Sequence, residues 1–77
     1  MTIHVKFFAS LRERLGRAET TVESEAGATV AWVWERAAGD APMPDNLLAA
    51  VNMEYANLDQ AVNDGDEVAF FPPVTGG

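Results

Sequence analysis

Hydrophobic and polar positions alternate from Thr2 to Phe8, with Ile3, Val5 and Phe7 on one side and His4, Lys6 and Phe8 on the other. This period of two is that of a half-buried strand. Phe8 is its oddity, because the outward side of such a strand is usually polar. Ser10 to Gly16 is too short for a free helix, but Ser10 suits a cap and Gly16 a stop, so a short helical connector is predicted. Alternation returns from Glu19 to Glu23 with Thr20 and Val22 on one face, and this strand is predicted to pair with the first as a hairpin across the connector. After Gly27 the period lengthens. Behind Thr29 as N-cap, Val30, Val33, Trp34 and Ala37 fall at i, i+3, i+4 and i+7, the stripe of an amphipathic helix. Arg36 lies near its C-terminal end, where positive charge is favoured, and Gly39 closes it.

A proline-punctuated loop from Ala41 to Asp45 follows, without a composition shift that would mark a domain boundary. Leu47 to Val51 is nearly continuously apolar, as expected of the sheet's central strand. Asn52-Met53-Glu54 turns the chain into a short segment from Tyr55 to Leu58. Asn63-Asp64-Gly65-Asp66 is a strong turn signal, and Glu67 to Phe71 is the last strand, with Val68 and Phe70 opposite Ala69 and Phe71. Two strands, a helix and then further strands predict an α+β fold of the β-grasp, ubiquitin-like kind: a roll whose mixed sheet carries one main helix on one face. The predicted domain is 1–71, followed by an extended tail at 72–77.

That tail departs from what folding requires. Pro72 and Pro73 lack backbone N–H groups and hold φ near about −65°, so the last strand must end at Phe71 and the chain leaves it stiff and extended. Gly76 and Gly77 carry no Cβ, which lets the backbone pass through a channel too narrow for a side chain. A terminal carboxylate on such a thin probe suits delivery into another protein's active site; the alternative is a frayed terminus of the ordinary kind.

Composition narrows the chemistry. The 77 residues make one small domain with little spare chain for a buried active site. Cysteine is absent, which excludes disulfides, thiolate metal sites and a thiol nucleophile. The first residues do not form a signal peptide and no apolar run reaches the roughly 20 residues of a membrane span, so a soluble cytoplasmic protein with no membrane partner is expected. The net charge of −7 would repel phosphate backbones, which makes nucleic acid an unsuitable partner and a basic protein surface a suitable one. His4 stands on an outward position without a second histidine, and a solvated side chain explains it better than a metal ligand. Asp64, Asp66 and Glu67 lack the remaining oxygen ligands of a calcium loop and read as a turn. Ser10 and Ser24 have no base placed with them. Trp34 belongs to the helix stripe, whereas Trp32 lies off its centre, leaving partial exposure or a partner contact open.

The opening Val5-Lys6-Phe7-Phe8-Ala9, the run Leu47-Leu48-Ala49-Ala50-Val51-Asn52 and above all the stretch from Asp64-Gly65-Asp66-Glu67-Val68 through Phe71-Pro72-Pro73-Val74-Thr75-Gly76-Gly77 resemble the MoaD-type small subunits of molybdopterin synthase, a ubiquitin-like sulfur-carrier family. The resemblance spans the chain and is densest in its C-terminal half. It implies that the Gly77 carboxylate is the reacting group: an E1-like adenylating enzyme that uses ATP activates it, a sulfur donor protein converts it to a thiocarboxylate, and the large subunit uses the sulfur to build the dithiolene of molybdopterin from a cyclic pyranopterin phosphate. Thr75, Gly76, Pro72 and Pro73 are then the access route. The family's catalytic residues and cofactors belong to the partners, so no cofactor bound by this chain is expected, it is not an enzyme alone, and a heterotetramer with the large subunit is implied.

If Ile3, Val5, Phe7, Val68 and Phe70 face the helix, Phe8 and Phe71 face the other side of the sheet, with Tyr55 a third aromatic for that side and Arg12 a charged contact at its edge. The resemblance implies that these four positions dock both partners; the alternative is that loops or the curl of the sheet cover the rings. Other readings stay open: a thiamine-pathway sulfur carrier, which the run from Phe71 to Thr75 argues against, a ubiquitin-like modifier forming isopeptide bonds with lysines, and an interaction domain whose tail is never activated.

Overall fold

A computed structural model describes residues 2–39 and 41–72. Its elements are β1 (Thr2–Phe7), α1 (Ala9–Leu15), β2 (Glu19–Glu23), α2 (Val30–Ala38), β3 (Leu48–Val51), β4 (Glu54–Ala56) and β5 (Glu67–Phe71). The strands form one sheet in the order β2-β1-β5-β3-β4, antiparallel throughout except for the parallel pair β1 and β5. This is the mixed sheet with one main helix on a face that the order of elements predicts.

Alternation sets which side chains enter the core. Ile3, Val5 and Phe7 of β1, and Val68 and Phe70 of β5, are buried beneath Val30, Val33, Trp34 and Ala37 of α2, the stripe read from the sequence. An aromatic cluster lies at the centre: Trp34 meets Phe70 edge-on at 5.2 Å between centroids, and Phe7 stacks on Phe70 at 6.1 Å. Such pairs contribute about 0.5–1.5 kcal/mol each beyond their burial.

The start of α2 is sealed by its surroundings. Thr29 Oγ1 accepts from the Trp32 N–H at 3.2 Å, as its capping position predicts, while the Val30 and Ala31 N–H groups donate to the carbonyls of Gln60 and Leu58. The loop before β5 thus occupies donors that a helix start leaves without intrahelical partners. Beside the start of β5, Asn52 and Met53 both take positive φ, 51° and 71°, in a two-residue turn between β3 and β4. The Asp66 carboxylate accepts from the Asn63 N–H at 2.8 Å and the Asn52 amide at 3.0 Å, tying this hairpin to the turn that opens β5. The Asn63 backbone bond first, and the Asn52 bond second, hold the Asp66 carboxyl below the ordinary carboxylate range despite slight opposing desolvation.

Three expectations need correction. The run from Leu47 to Val51 becomes a strand only from Leu48 and is second from the edge; the middle strand is β5. Ala49 and Ala50 are both buried, so the apolar run reports cover on both faces rather than place in the sheet. Ser10 does not cap α1. The helix starts at Ala9, with extended Phe8 at the N-cap and no side-chain cap, because the Phe8 N–H is held by the Phe70 carbonyl and fixes where the chain turns. The short segment read from Tyr55 to Leu58 is a strand that starts earlier, at Glu54, and ends at Ala56.

Candidate functional site

The sheet face away from α2 carries an aromatic patch where a soluble fold would ordinarily place polar groups. Phe71, the last residue of β5, is half-buried, and its ring meets Phe8 at 6.3 Å and Tyr55 at 5.8 Å, both edge-on. Phe8 is 46% and Tyr55 78% exposed. The three aromatics read from the sequence are therefore brought together.

The backbone explains how. Phe8 ends the β1 side of the ladder, bonded to Phe70, and the chain then breaks away through Ala9 at φ 52°, leaving the Phe8 ring beside Phe71. Tyr55 belongs to β4, with β3 standing between it and β5. Strands two places apart lie about 9.6 Å from each other, so the rings meet only by leaning over what stands between them. Ala50, opposite both Tyr55 and Ala69, supplies a small side chain there. The sequence shows Phe8 and Phe71 as misplaced aromatics; Ala50 and Ala69 as the floor under Tyr55 become visible only with the strand order. Arg12 is exposed on α1, four residues beyond Phe8, and its carbonyl accepts from the Gly16 N–H. No contact joins its side chain to the aromatic patch among the interactions of the described residues.

Pro72 follows Phe71 directly and is half-buried, so the chain leaves the middle of the sheet beside the patch. Pro73, Thr75, Gly76 and Gly77 lie outside the described residues. His4 is exposed, and among the described residues no three histidine, cysteine, aspartate or glutamate side chains converge on a metal position. No helix among them is long and apolar enough to cross a membrane. Trp34 is core; Trp32 is half-buried, with the Arg36 guanidinium 5.1 Å above its ring.

A small mixed roll with one helix on its inner face, an aromatic outer face and a chain end leaving the central strand is a ubiquitin-like β-grasp protein. The ThiS family model matches residues 5–77, and the chain belongs to that family. It is 44% identical over 80 residues to the molybdopterin synthase sulfur carrier subunit of Escherichia coli, covering 97% of this chain and 99% of that one. The corresponding subunit of Haemophilus influenzae is 43% identical over 81 residues, with the same coverage. Among solved structures, it is similar to that of small archaeal modifier protein 1 from Haloferax volcanii, with a TM-score of 0.79, 31% identity and complete coverage of both chains.

Proposed function

We propose that this chain is the sulfur-carrier small subunit of a molybdopterin synthase and that its reacting group is the carboxyl of Gly77. A carboxylate is a poor electrophile. Attack of its oxygen on the α-phosphate of ATP, in the active site of an activating enzyme, releases pyrophosphate and leaves an acyl adenylate. A persulfide sulfur on a donor protein then displaces AMP to form an acyl disulfide, and a thiol attacks its S–S bond, releasing the thiocarboxylate and leaving a disulfide between that thiol and the donor. The thiocarboxylate is presented to a large subunit, where its sulfur passes to a cyclic pyranopterin monophosphate and hydrolysis returns the Gly77 carboxylate; the two sulfurs of the dithiolene require two such carriers. This chain contributes the carbon and its delivery; catalytic side chains, ATP and pterin belong to the partners.

The observation that carries the reading is the 44% identity with the Escherichia coli carrier subunit over nearly the whole of both chains. The outer face supports it, because Phe8, Tyr55 and Phe71 stand beside the point where the chain leaves β5 toward Gly77, so docking through them sets where the tail begins. Positioning of this kind carries much of the rate when a reacting group is delivered by a partner. The similarity to small archaeal modifier protein 1 favours one second reading, in which the same activated carboxyl forms an isopeptide bond with a lysine of another protein.

The test is ATP–pyrophosphate exchange with a cognate activating enzyme, followed by conversion of the pyranopterin with a large subunit. Parent protein supports both, and its intact mass shows oxygen replaced by sulfur. Deleting Gly77 withdraws the carbonyl carbon by about 3.5 Å, and Gly76→Val adds bulk beside it; both lose exchange while melting as the parent does. Exchange at parental rates by the deletion variant overturns the reading. Lysine-linked conjugates without pterin conversion would establish the modifier instead.

A further inference from the structure

Among the described residues, four non-glycine positions take positive φ: Ala9, Asn46, Asn52 and Met53. A side chain is unfavourable there, least so for asparagine, and glycine is the usual occupant. Asn46 and Asn52 are of the tolerant type, and Ala9 carries only a methyl group. Met53 is the exception, a long apolar side chain at φ 71° in the second position of a hairpin turn, where asparagine followed by glycine is the favoured pair.

Its neighbour gains from the same conformation. The Asn52 N–H donates to the Glu67 carbonyl at 2.8 Å, its side-chain oxygen accepts from the Glu67 N–H at 3.0 Å, and its amide donates to Asp66. Met53 has no such return: it is 91% exposed and takes no part in the core. Folding alone would select glycine. A residue kept against the preference of its backbone, and without packing to offset it, points to a role outside the fold.

Its place shows which role. Phe8, Tyr55 and Met53 are the large hydrophobic residues exposed among the described residues, and the first two belong to the aromatic patch. Met53 precedes Tyr55 by two residues on the same hairpin, about 7 Å along the chain. Leu48 stands opposite Phe71, so Met53 lies five residues, about 17 Å, from the end of the sheet where the tail leaves. An interface of standard size covers about 800 Å² on each partner, a disc of about 16 Å radius, so one centred on the patch reaches the turn. A smaller, transient contact gathered round the tail exit does not.

We propose that Met53 is a docking residue for the large synthase subunit, its thioether side chain entering an apolar cleft of that subunit beyond the surface that covers Tyr55. The assignment rests on the reading of this chain as the carrier subunit. Methionine suits the task because it is unbranched, flexible and polarizable, and so adapts to the cleft it meets. The activating enzyme, which must release the carrier in each cycle, needs only the end of the sheet beside the tail.

The experiment is titration calorimetry of the full chain, parent and variants, with a cognate large subunit, alongside thermal melts. Met53→Gly should melt higher than the parent yet bind about fivefold or more weakly, opposite signs that a merely structural residue would not give. Met53→Ala, which keeps the backbone restricted and removes the side chain, should lose affinity by a similar factor. Met53→Leu, which restores an apolar chain of like volume, should bind within about twofold of the parent. ATP–pyrophosphate exchange with the activating enzyme should be parental in all three. Parental binding by Met53→Ala overturns the proposal even where Met53→Gly binds weakly, because the effect then comes from the turn and not from the side chain. Equal losses by the leucine and alanine variants, or a fall in exchange as large as the fall in affinity, would overturn it too. Tyr55→Ala separates the inference from the reading beneath it: weak binding by this variant with parental binding by the Met53 variants removes Met53 alone, whereas parental binding by Tyr55→Ala removes the docking face and Met53 with it.

Discussion

Phe70 and Phe71 are neighbours in the chain and face opposite sides of the sheet: Phe70 is fully buried against Trp34, and Phe71 meets Phe8 and Tyr55 on the outer face. The same substitution must therefore act differently at the two positions. Phe70→Ala should cost about 3–5 kcal/mol of folding stability through lost burial and a cavity. Phe71→Ala should cost about 1 kcal/mol of stability and about 2 kcal/mol or more of affinity for a large synthase subunit. Denaturant melts and titration calorimetry separate the two, and equal loss of stability in both variants would place Phe71 in the core.

Much of this division could be read before the structure. The stripe of Val30, Val33, Trp34 and Ala37 behind Thr29 is legible because helix period, cap and burial agree. The outward setting of Phe71 follows from alternation alone. The strand order does not, because pairing of β1 with β5 joins residues more than sixty positions apart and leaves no local signal. That is why Leu48–Val51, apolar on both faces, reads as the middle of the sheet, and why the reach of Tyr55 over Ala50 to Phe71 is hidden. Ser10 misleads because its residue type suits a cap, while the helix start is fixed by a bond from Phe8 to Phe70.

The hairpin turn between β3 and β4 holds Met53 at φ 71°, where a Cβ is unfavourable. Met53→Gly should exceed Met53→Ala in stability by about 1 kcal/mol, since only glycine relieves the conformation. Met53 is 91% exposed, so lost packing should not obscure the comparison. Thermal melts of the pair check it, and equal stabilities would count against the strain.

Asp66 has a folded-state pKa held below its unfolded value by bonds from Asn63 and Asn52. A lowered pKa contributes stability that is fully present above the unfolded value and is lost as pH falls through the folded one, so the loss should begin below about pH 4. Asp66→Asn should be less stable than the parent at neutral pH, with the gap closing in acid. Melting temperatures of both proteins across that range test the sign; a gap that widens in acid would contradict it.

Thr29→Ala removes the acceptor for the Trp32 N–H at the start of α2 and should cost about 1 kcal/mol. Thr29→Ser should retain most of that stability, because the hydroxyl stays. Melts that place the alanine and serine variants together would assign the effect to the lost methyl group rather than to the cap.

The parallel setting of β1 and β5 has a mechanical consequence. One strand begins at Thr2 and the other ends at Phe71, side by side and pointing the same way. Tension that draws the C-terminal side away from the N-terminal side loads the bonds between these strands together, in shear, instead of opening them one at a time from an end. With β3 bonded along its other flank, β5 is gripped on both sides, and force applied through Pro72 is spread across the width of the sheet rather than concentrated at a fraying edge. A pull through Pro72 is thereby shared among the bonds on both flanks of β5.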